Sequence, residues 1–168
     1  MDVDGVLTDG RMVLSDKGDE LKMFHTHDGI GLALAHRAGL ETALVTGETS
    51  PIAKTRGDKL GVGAVVLGAR RKGEVVEALL AERGLPPHAL AYIGDDLLDI
   101  PALERAGLAV APSDAVTDVK AVAHVVTKAP GGHGAVRECV ELILRAQGVW
   151  RSTVQAYVRE HGGAGLAG

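Results

Sequence analysis

The sequence predicts an α/β fold in which a central parallel sheet is covered by helices on both faces. Two observations lead there. Short apolar runs alternate with amphipathic stretches along the chain, and several helical stretches close on a glycine. Strands that alternate with helices are buried on both faces and pair in parallel.

The elements follow in order. Asp2-Val3-Asp4-Gly5 opens the chain as an extended segment running into a turn. Arg11–Ser15 and Glu20–Phe24 flank Asp16-Lys17-Gly18-Asp19, which predicts a β-hairpin insertion over about residues 10–25. Its Met12, Val13, Leu14, Leu21, Met23 and Phe24 are too apolar for a free hairpin, so it is expected to act as a lid or an oligomer contact. A helix is expected over 28–39, closed by Gly39, and a strand over Thr42–Val45. Ser50-Pro51 opens a helix to Leu60, since serine caps and proline suits the first turn. Strands at Ala64–Leu67, Leu90–Ile93, Ala109–Ala111 and His124–Thr127 alternate with helices at Lys72–Arg83, Ile100–Ala106, Asp114–Ala121 and Ala135–Ala146. Residues 1–150 thus form a single domain, with no separate cap domain. Residues 151–168 form a C-terminal tail, helical over Trp150–His161 and disordered over the Gly/Ala-rich Gly162–Gly168.

Composition narrows the function. The net charge is −4 and there is no basic arm, which argues against a nucleic-acid partner. A single cysteine, Cys139, excludes an internal disulfide framework and reads as a buried small hydrophobe. No apolar run is long enough to span a bilayer and the start is not a signal peptide, so no membrane partner and a cytoplasmic location are expected. Aromatic residues are only 2%, so aliphatic side chains must fill the core.

Four features carry the chemistry. Asp2 and Asp4, two residues apart, can face one reacting group, one attacking while the other manages the proton. Thr46 follows the Ala43-Leu44-Val45 strand and precedes Gly47. Lys72 starts a helix, and Gly94-Asp95-Asp96-Leu97-Leu98-Asp99 follows the Ala91-Tyr92-Ile93 strand. Several acids at one strand end repel each other unless a cation offsets them, and oxygen ligands favour Mg²⁺.

Together these motifs resemble the haloacid dehalogenase superfamily of aspartate-based phosphotransferases, whose Rossmann-like, three-layer fold the resemblance implies. It also implies roles. Asp2 is the nucleophile, and Asp4 the general acid and then the base. Mg²⁺ is held by Asp2, the Asp4 carbonyl and Asp95, with Asp96 and Asp99 in support. Thr46 and Lys72 hold the phosphoryl oxygens.

A narrower resemblance is to the capless branch of 3-deoxy-D-manno-octulosonate 8-phosphate (KDO 8-phosphate) phosphatases and their 2-keto-3-deoxynononate 9-phosphate (KDN 9-phosphate) relatives. It rests on Asp2–Gly10, Asp28-Gly29-x-Gly31, Ala91–Asp96 and Gly131-Gly132-x-Gly134-Ala135-Val136-Arg137-Glu138. The resemblance implies a homotetramer built through the hairpins, with substrate contacts at Gly5, Thr46, Gly47, Glu48, Lys59, Lys72 and Arg137. Arg137 could meet a sugar-acid carboxylate or pair with Glu141 on its own helix. Glu48 stands where KDO 8-phosphate phosphatases commonly carry arginine, and Glu48 with Lys59 matches the nononate members, so both sugars stay open. A non-catalytic oligomerisation module and a phosphorylation-dependent receiver domain are the alternatives. Order disfavours the receiver, because its acidic pair precedes the phospho-accepting aspartate. In this fold the nucleophile ends a central strand, so apolar residues are expected upstream of Met1.

Overall fold

The structure, a computed structural model, describes residues 1–165. The hairpin strands β1 (Val13–Leu14) and β2 (Glu20–Leu21) pair antiparallel, Val13 opposite Leu21. There follow α1 (Thr26–Arg37), β3 (Ala43–Val45), α2 (Pro51–Leu60), β4 (Ala64–Val66), α3 (Lys72–Arg83) and β5 (Ala91–Ile93). The chain continues through α4 (Ile100–Leu103), β6 (Leu108–Ala111), α5 (Thr117–Val122), β7 (Val125–Val126), α6 (Ala135–Ala146) and α7 (Trp150–Glu160). Among the described residues no helix is long and apolar enough to cross a membrane.

Local chemistry sets these limits. The Ser50 hydroxyl accepts the Ile52 N–H at 3.4 Å and Pro51 takes the first turn of α2, while α3 ends on Gly84 in the left-handed region. Alternate strand residues then face opposite layers. Leu44, Ile93 and Val110 pack with Leu32, Ala53, Val136 and Cys139. Val45, Tyr92, Ala109 and Ala111 pack with Val76, Leu103 and Val119. The result is a three-layer sandwich with one apolar core on each face of the sheet.

Several elements differ from their sequence expectation. The hairpin strands are two residues each, far shorter than the apolar runs that predict them, because beyond them the side chains have no partner strand to pack on. Helix α1 starts at Thr26 rather than 28, capped by the His25 ring, which accepts the His27 N–H at 3.2 Å. The helix expected over Ile100–Ala106 stops at Leu103, and a 3-10 turn, Leu97–Asp99, precedes it. Trp150, Val154 and Tyr157 of α7 pack against Leu34, Ala35, Val140 and Leu144, so this part of the expected tail is seated on α1 and α6. The disorder expected over Gly162–Gly168 falls partly on residues 166–168, outside the described residues.

The largest difference lies at the centre of the sheet. The parallel strands form two pieces, β3–β4 and β5–β6–β7. Residues 1–2 form no strand, yet their backbone joins the pieces: Val45 N–H donates to the Met1 carbonyl at 2.9 Å, and Asp2 N–H to the Ile93 carbonyl at 3.0 Å. The chain then turns at once, the Val3 carbonyl accepting the Leu7 and Thr8 N–H groups at 2.9 and 3.0 Å.

Candidate active site

The site lies where the ends of β3 and β5, the start of α3 and the first turn meet. Thr8 sets the turn, its hydroxyl accepting the Gly5 and Gly10 N–H groups at 3.4 and 3.2 Å. Gly5 has φ +89°, and a Cβ there would lie 2.0 Å from Asp95 Oδ2. Glycine is therefore what lets the Asp95 carboxylate reach the turn. Gly131 closes the other side, since its Cβ would lie 1.8 Å from the Gly5 carbonyl oxygen.

Lys72 is the electrostatic centre. Its side chain is 2% exposed, with Nζ 2.8 Å from Asp2 Oδ1 and 2.7 Å from Asp99 Oδ1. Burial by itself disfavours the ammonium, but the Asp2 and Asp99 charges, with the hydrogen bond to Asp99, outweigh it and hold its pKa above the usual lysine value. Asp99 also accepts the Tyr92 hydroxyl at 2.8 Å and the Asp95 N–H at 3.1 Å. Burial beside these acids pushes the Tyr92 phenol well above its ordinary range, so it stays a donor.

Asp2, Asp95 and Asp99 each present an oxygen within 4.8 Å of the others. Burial and the neighbouring carboxylates push Asp2 up to about 6 and Asp95 up to about 8. Asp95 Oδ1 is enclosed without a hydrogen-bond partner. Asp2 Oδ1 likewise has no aligned hydrogen bond, and the Lys72 contact there is an ion pair. Asp99 is fully engaged by protein donors, whereas Asp2 and Asp95 hold buried oxygens in reserve. That donor set fits a hard divalent cation.

Asp4 faces the same space from the turn. The Thr46 hydroxyl, 1% exposed as a residue, lies 3.5 Å from Asp4 Oδ2 and accepts the Glu48 N–H at 3.1 Å. Lys22 of the hairpin forms an ion pair with Asp4 Oδ1, and its ammonium lies 3.3 Å from Glu20 Oε1. Sequence reasoning missed Lys22, because a lysine in a polar-apolar hairpin reads as solvated. Only the fold over of the hairpin buries it.

The structure thus brings together Asp2, Asp4, Gly5, Thr46, Gly47, Lys72, Asp95 and Asp99. Gly47 lies against Leu98, 2.8 Å from where its Cβ would stand. Asp96 is exposed and caps the turn after β5, accepting the Leu97 N–H at 2.6 Å. Glu48 is exposed at the rim. Lys59 is exposed in the last turn of α2, about 13 Å along the helix axis from Ser50 at 1.5 Å per residue. Arg137 turns away, its Nε 3.8 Å from Glu141 and its guanidinium 5.1 Å from the Trp150 ring centroid. The Asp28-Gly29-x-Gly31 motif has a structural use: Asp28, buried in α1, accepts the Gly134 and Arg137 N–H groups at 3.2 and 2.9 Å and so caps α6.

This fold and this acid-lysine cluster define a hydrolase of the haloacid dehalogenase type. The model of the haloacid dehalogenase-like hydrolase family matches residues 58–138. The KDO 8-phosphate phosphatase KdsC of Escherichia coli is 40% identical over 148 residues, 88% of this chain and 79% of that protein. A probable YrbI family phosphatase from Pseudomonas syringae pv. phaseolica superposes with a TM-score of 0.90 at 42% identity, over 93% of this chain and 89% of that one. The KDO 8-phosphate phosphatase of Moraxella catarrhalis, solved with magnesium, phosphate and KDO, superposes with a TM-score of 0.91 at 35% identity, over 94% and 90%. The chain belongs to the haloacid dehalogenase-like hydrolases, within the branch of the KDO 8-phosphate phosphatases, and is a phosphatase.

Proposed function

We propose that the protein hydrolyses the phosphate monoester of a 2-keto-3-deoxy sugar acid, KDO 8-phosphate, through an aspartyl-phosphate on Asp2. The observation that carries this reading is the convergence of Asp2, Asp4, Thr46 and Lys72 on one space, with Lys72 Nζ 2.8 Å from Asp2 and Thr46 3.5 Å from Asp4. The names of the similar phosphatases supply the sugar.

In the first step an Asp2 carboxylate oxygen attacks phosphorus, the bond from phosphorus to the sugar oxygen breaks, and Asp4 gives its proton to the leaving alkoxide. In the second, Asp4 takes a proton from water, the hydroxide attacks phosphorus, and the bond to Asp2 breaks to release phosphate. Lys72 and the Thr46 hydroxyl hold the phosphoryl oxygens as charge spreads over them. Mg²⁺, held by Asp2, the Asp4 carbonyl and Asp95, supplies charge neutralisation at those oxygens when bound. Asp99 fixes Lys72, and Asp96 holds the loop that carries Asp95.

Substrate contacts outside the phosphate are assigned to Gly5, Gly47, Glu48, Lys59 and Arg137. Within one subunit Arg137 is engaged with Glu141 and Trp150, so its part depends on a neighbouring copy or on release from that pair. Self-association goes with this reading: Met12, Val13, Leu14, Leu21 and Met23 of the hairpin are 47–78% exposed, an apolar patch suited to a homotetramer contact. A KDN 9-phosphate substrate is the second reading, favoured by Glu48 together with Lys59, the pair that resembles the nononate members. Mg²⁺-dependent phosphate release from both sugars, with Asp2→Asn as control, tests the proposal. A higher kcat/KM on KDO 8-phosphate supports the first reading, and a higher value on KDN 9-phosphate selects the second. Undiminished release by the Asn variant rules out the covalent route.

A further inference from the structure

The two oxygens of Asp4 are held unequally. Oδ1 takes the ion pair with the Lys22 ammonium, whereas Oδ2 meets the Thr46 hydroxyl at 3.5 Å, a loose contact. The Lys22 side chain is 1% exposed and that of Asp4 15%. Lys22 is itself held in place. Its ammonium lies 3.3 Å from Glu20 Oε1, and Glu20 hydrogen-bonds the side chain of Ser50. Ser50 in turn caps α2 through the Ile52 N–H. A polar chain therefore runs from the start of α2, through the hairpin, to the opening turn.

This arrangement pairs each lysine with one of the opening carboxylates. Lys72 faces Asp2, while Lys22 faces Asp4. An ammonium is a donor with no acceptor, so the oxygen it holds is committed to accepting. Oδ1 of Asp4 is in that position, and the proton of an acidic Asp4 belongs on Oδ2. A carboxyl free to swing presents either oxygen to the substrate. One anchored at Oδ1 presents a single oxygen in a fixed direction, and geometry of that kind is worth about 100-fold in rate per ångström of misplacement.

We infer that Lys22 is a positioning residue for the acid step: it fixes Asp4 through Oδ1, so that Oδ2 is the oxygen that protonates the departing sugar oxygen. The inference rests on the acid-base role proposed above for Asp4. The proton leaves Oδ2 as the bond from phosphorus to the sugar oxygen breaks. The carboxylate that remains stays paired with Lys22, which keeps its own protons. Glu20 and Ser50 hold the lysine from behind and touch no reacting atom.

The test separates leaving groups. A sugar alkoxide needs a proton to depart, whereas p-nitrophenolate, a far weaker base, does not. Lys22→Met is expected to lower kcat/KM on KDO 8-phosphate by about 10- to 100-fold, and on p-nitrophenyl phosphate by less than about 3-fold. Glu20→Gln alters a partly exposed side chain and should give the same split at smaller size, about 3-fold on the sugar ester alone. Asp4→Asn is the reference and should also split the two substrates. Equal losses on both substrates with Lys22→Met, while Asp4→Asn splits them, overturn the inference and leave the role of Asp4 standing. So does the absence of any loss with Lys22→Met. Equal losses with Asp4→Asn bring down the acid-base reading, and the inference with it. Should Lys22→Met fail to fold, Glu20→Gln decides by the same comparison.

Discussion

Lys22, from the hairpin, forms an ion pair with Asp4 of the opening turn, and its side chain is only 1% exposed. Burial favours the neutral amine, but the hydrogen bonds and charges of Asp4 and Glu20 prevail and raise the Lys22 pKa. The hairpin is thereby tied to the proposed acid-base group, as well as exposing an apolar patch. Lys22→Met is expected to lower kcat/KM by about 10- to 100-fold, the worth of a lost hydrogen bond to a charged group. The fold should survive, so circular dichroism and Tm serve as the control measurements.

Lys72 offsets two buried carboxylates, and Lys72→Met would leave Asp2 and Asp99 facing each other. Breaking a buried pair by removing one partner costs about 3–5 kcal/mol. Denaturant unfolding without metal should show a loss of that order. Asp99→Asn leaves one acceptor oxygen, which can keep either the Tyr92 hydroxyl or the Asp95 N–H but not both, so it too should destabilise the metal-free protein.

Metal and pH act together at this cluster. Below about pH 4 the Asp2 and Asp95 carboxyls are protonated whether the chain is folded or not. As pH rises, the unfolded groups ionise near 3.8 while the folded ones keep their protons to about 6 and about 8. The folded state then binds more protons, so metal-free stability falls from pH 4 to pH 8. A bound cation favours the ionised carboxylates and reverses the trend. Saturating Mg²⁺ should therefore raise Tm more at pH 8 than at pH 5, and an equal rise at both would separate metal binding from these acids.

The hairpin patch predicts association. Leu14 and Met23 are 68% and 78% exposed. Leu14→Asp with Met23→Asp should shift the chain to smaller species by light scattering, leaving the Tm of the single subunit within a few degrees.

Much of the site could be read from the sequence because its residues sit where periodic elements begin or end. Thr46 follows β3, Lys72 opens α3 and Asp95 follows β5, so local patterning alone placed them. Contacts made only by long-range packing were not legible. Lys22 reaches Asp4 because the hairpin folds back. Asp99 becomes the partner of Lys72 and Tyr92 through the approach of α3 to β5. Arg137, read from the sequence as either a sugar-carboxylate partner or the partner of Glu141, lies 3.8 Å from Glu141 within one subunit. Residues 1–2 make three backbone bonds to the flanking strands, Met1 with Ala43 and Val45 and Asp2 with Ile93.

The central claim is that Asp2 forms the covalent intermediate. Enzyme turning over KDO 8-phosphate with Mg²⁺ can be acid-quenched and reduced with borohydride, which converts an aspartyl-phosphate to homoserine. Mass spectrometry of the N-terminal peptide is predicted to find homoserine at position 2 and an intact Asp4. An unmodified Asp2 in enzyme that was releasing phosphate, or the modification at Asp4 instead, would contradict the account.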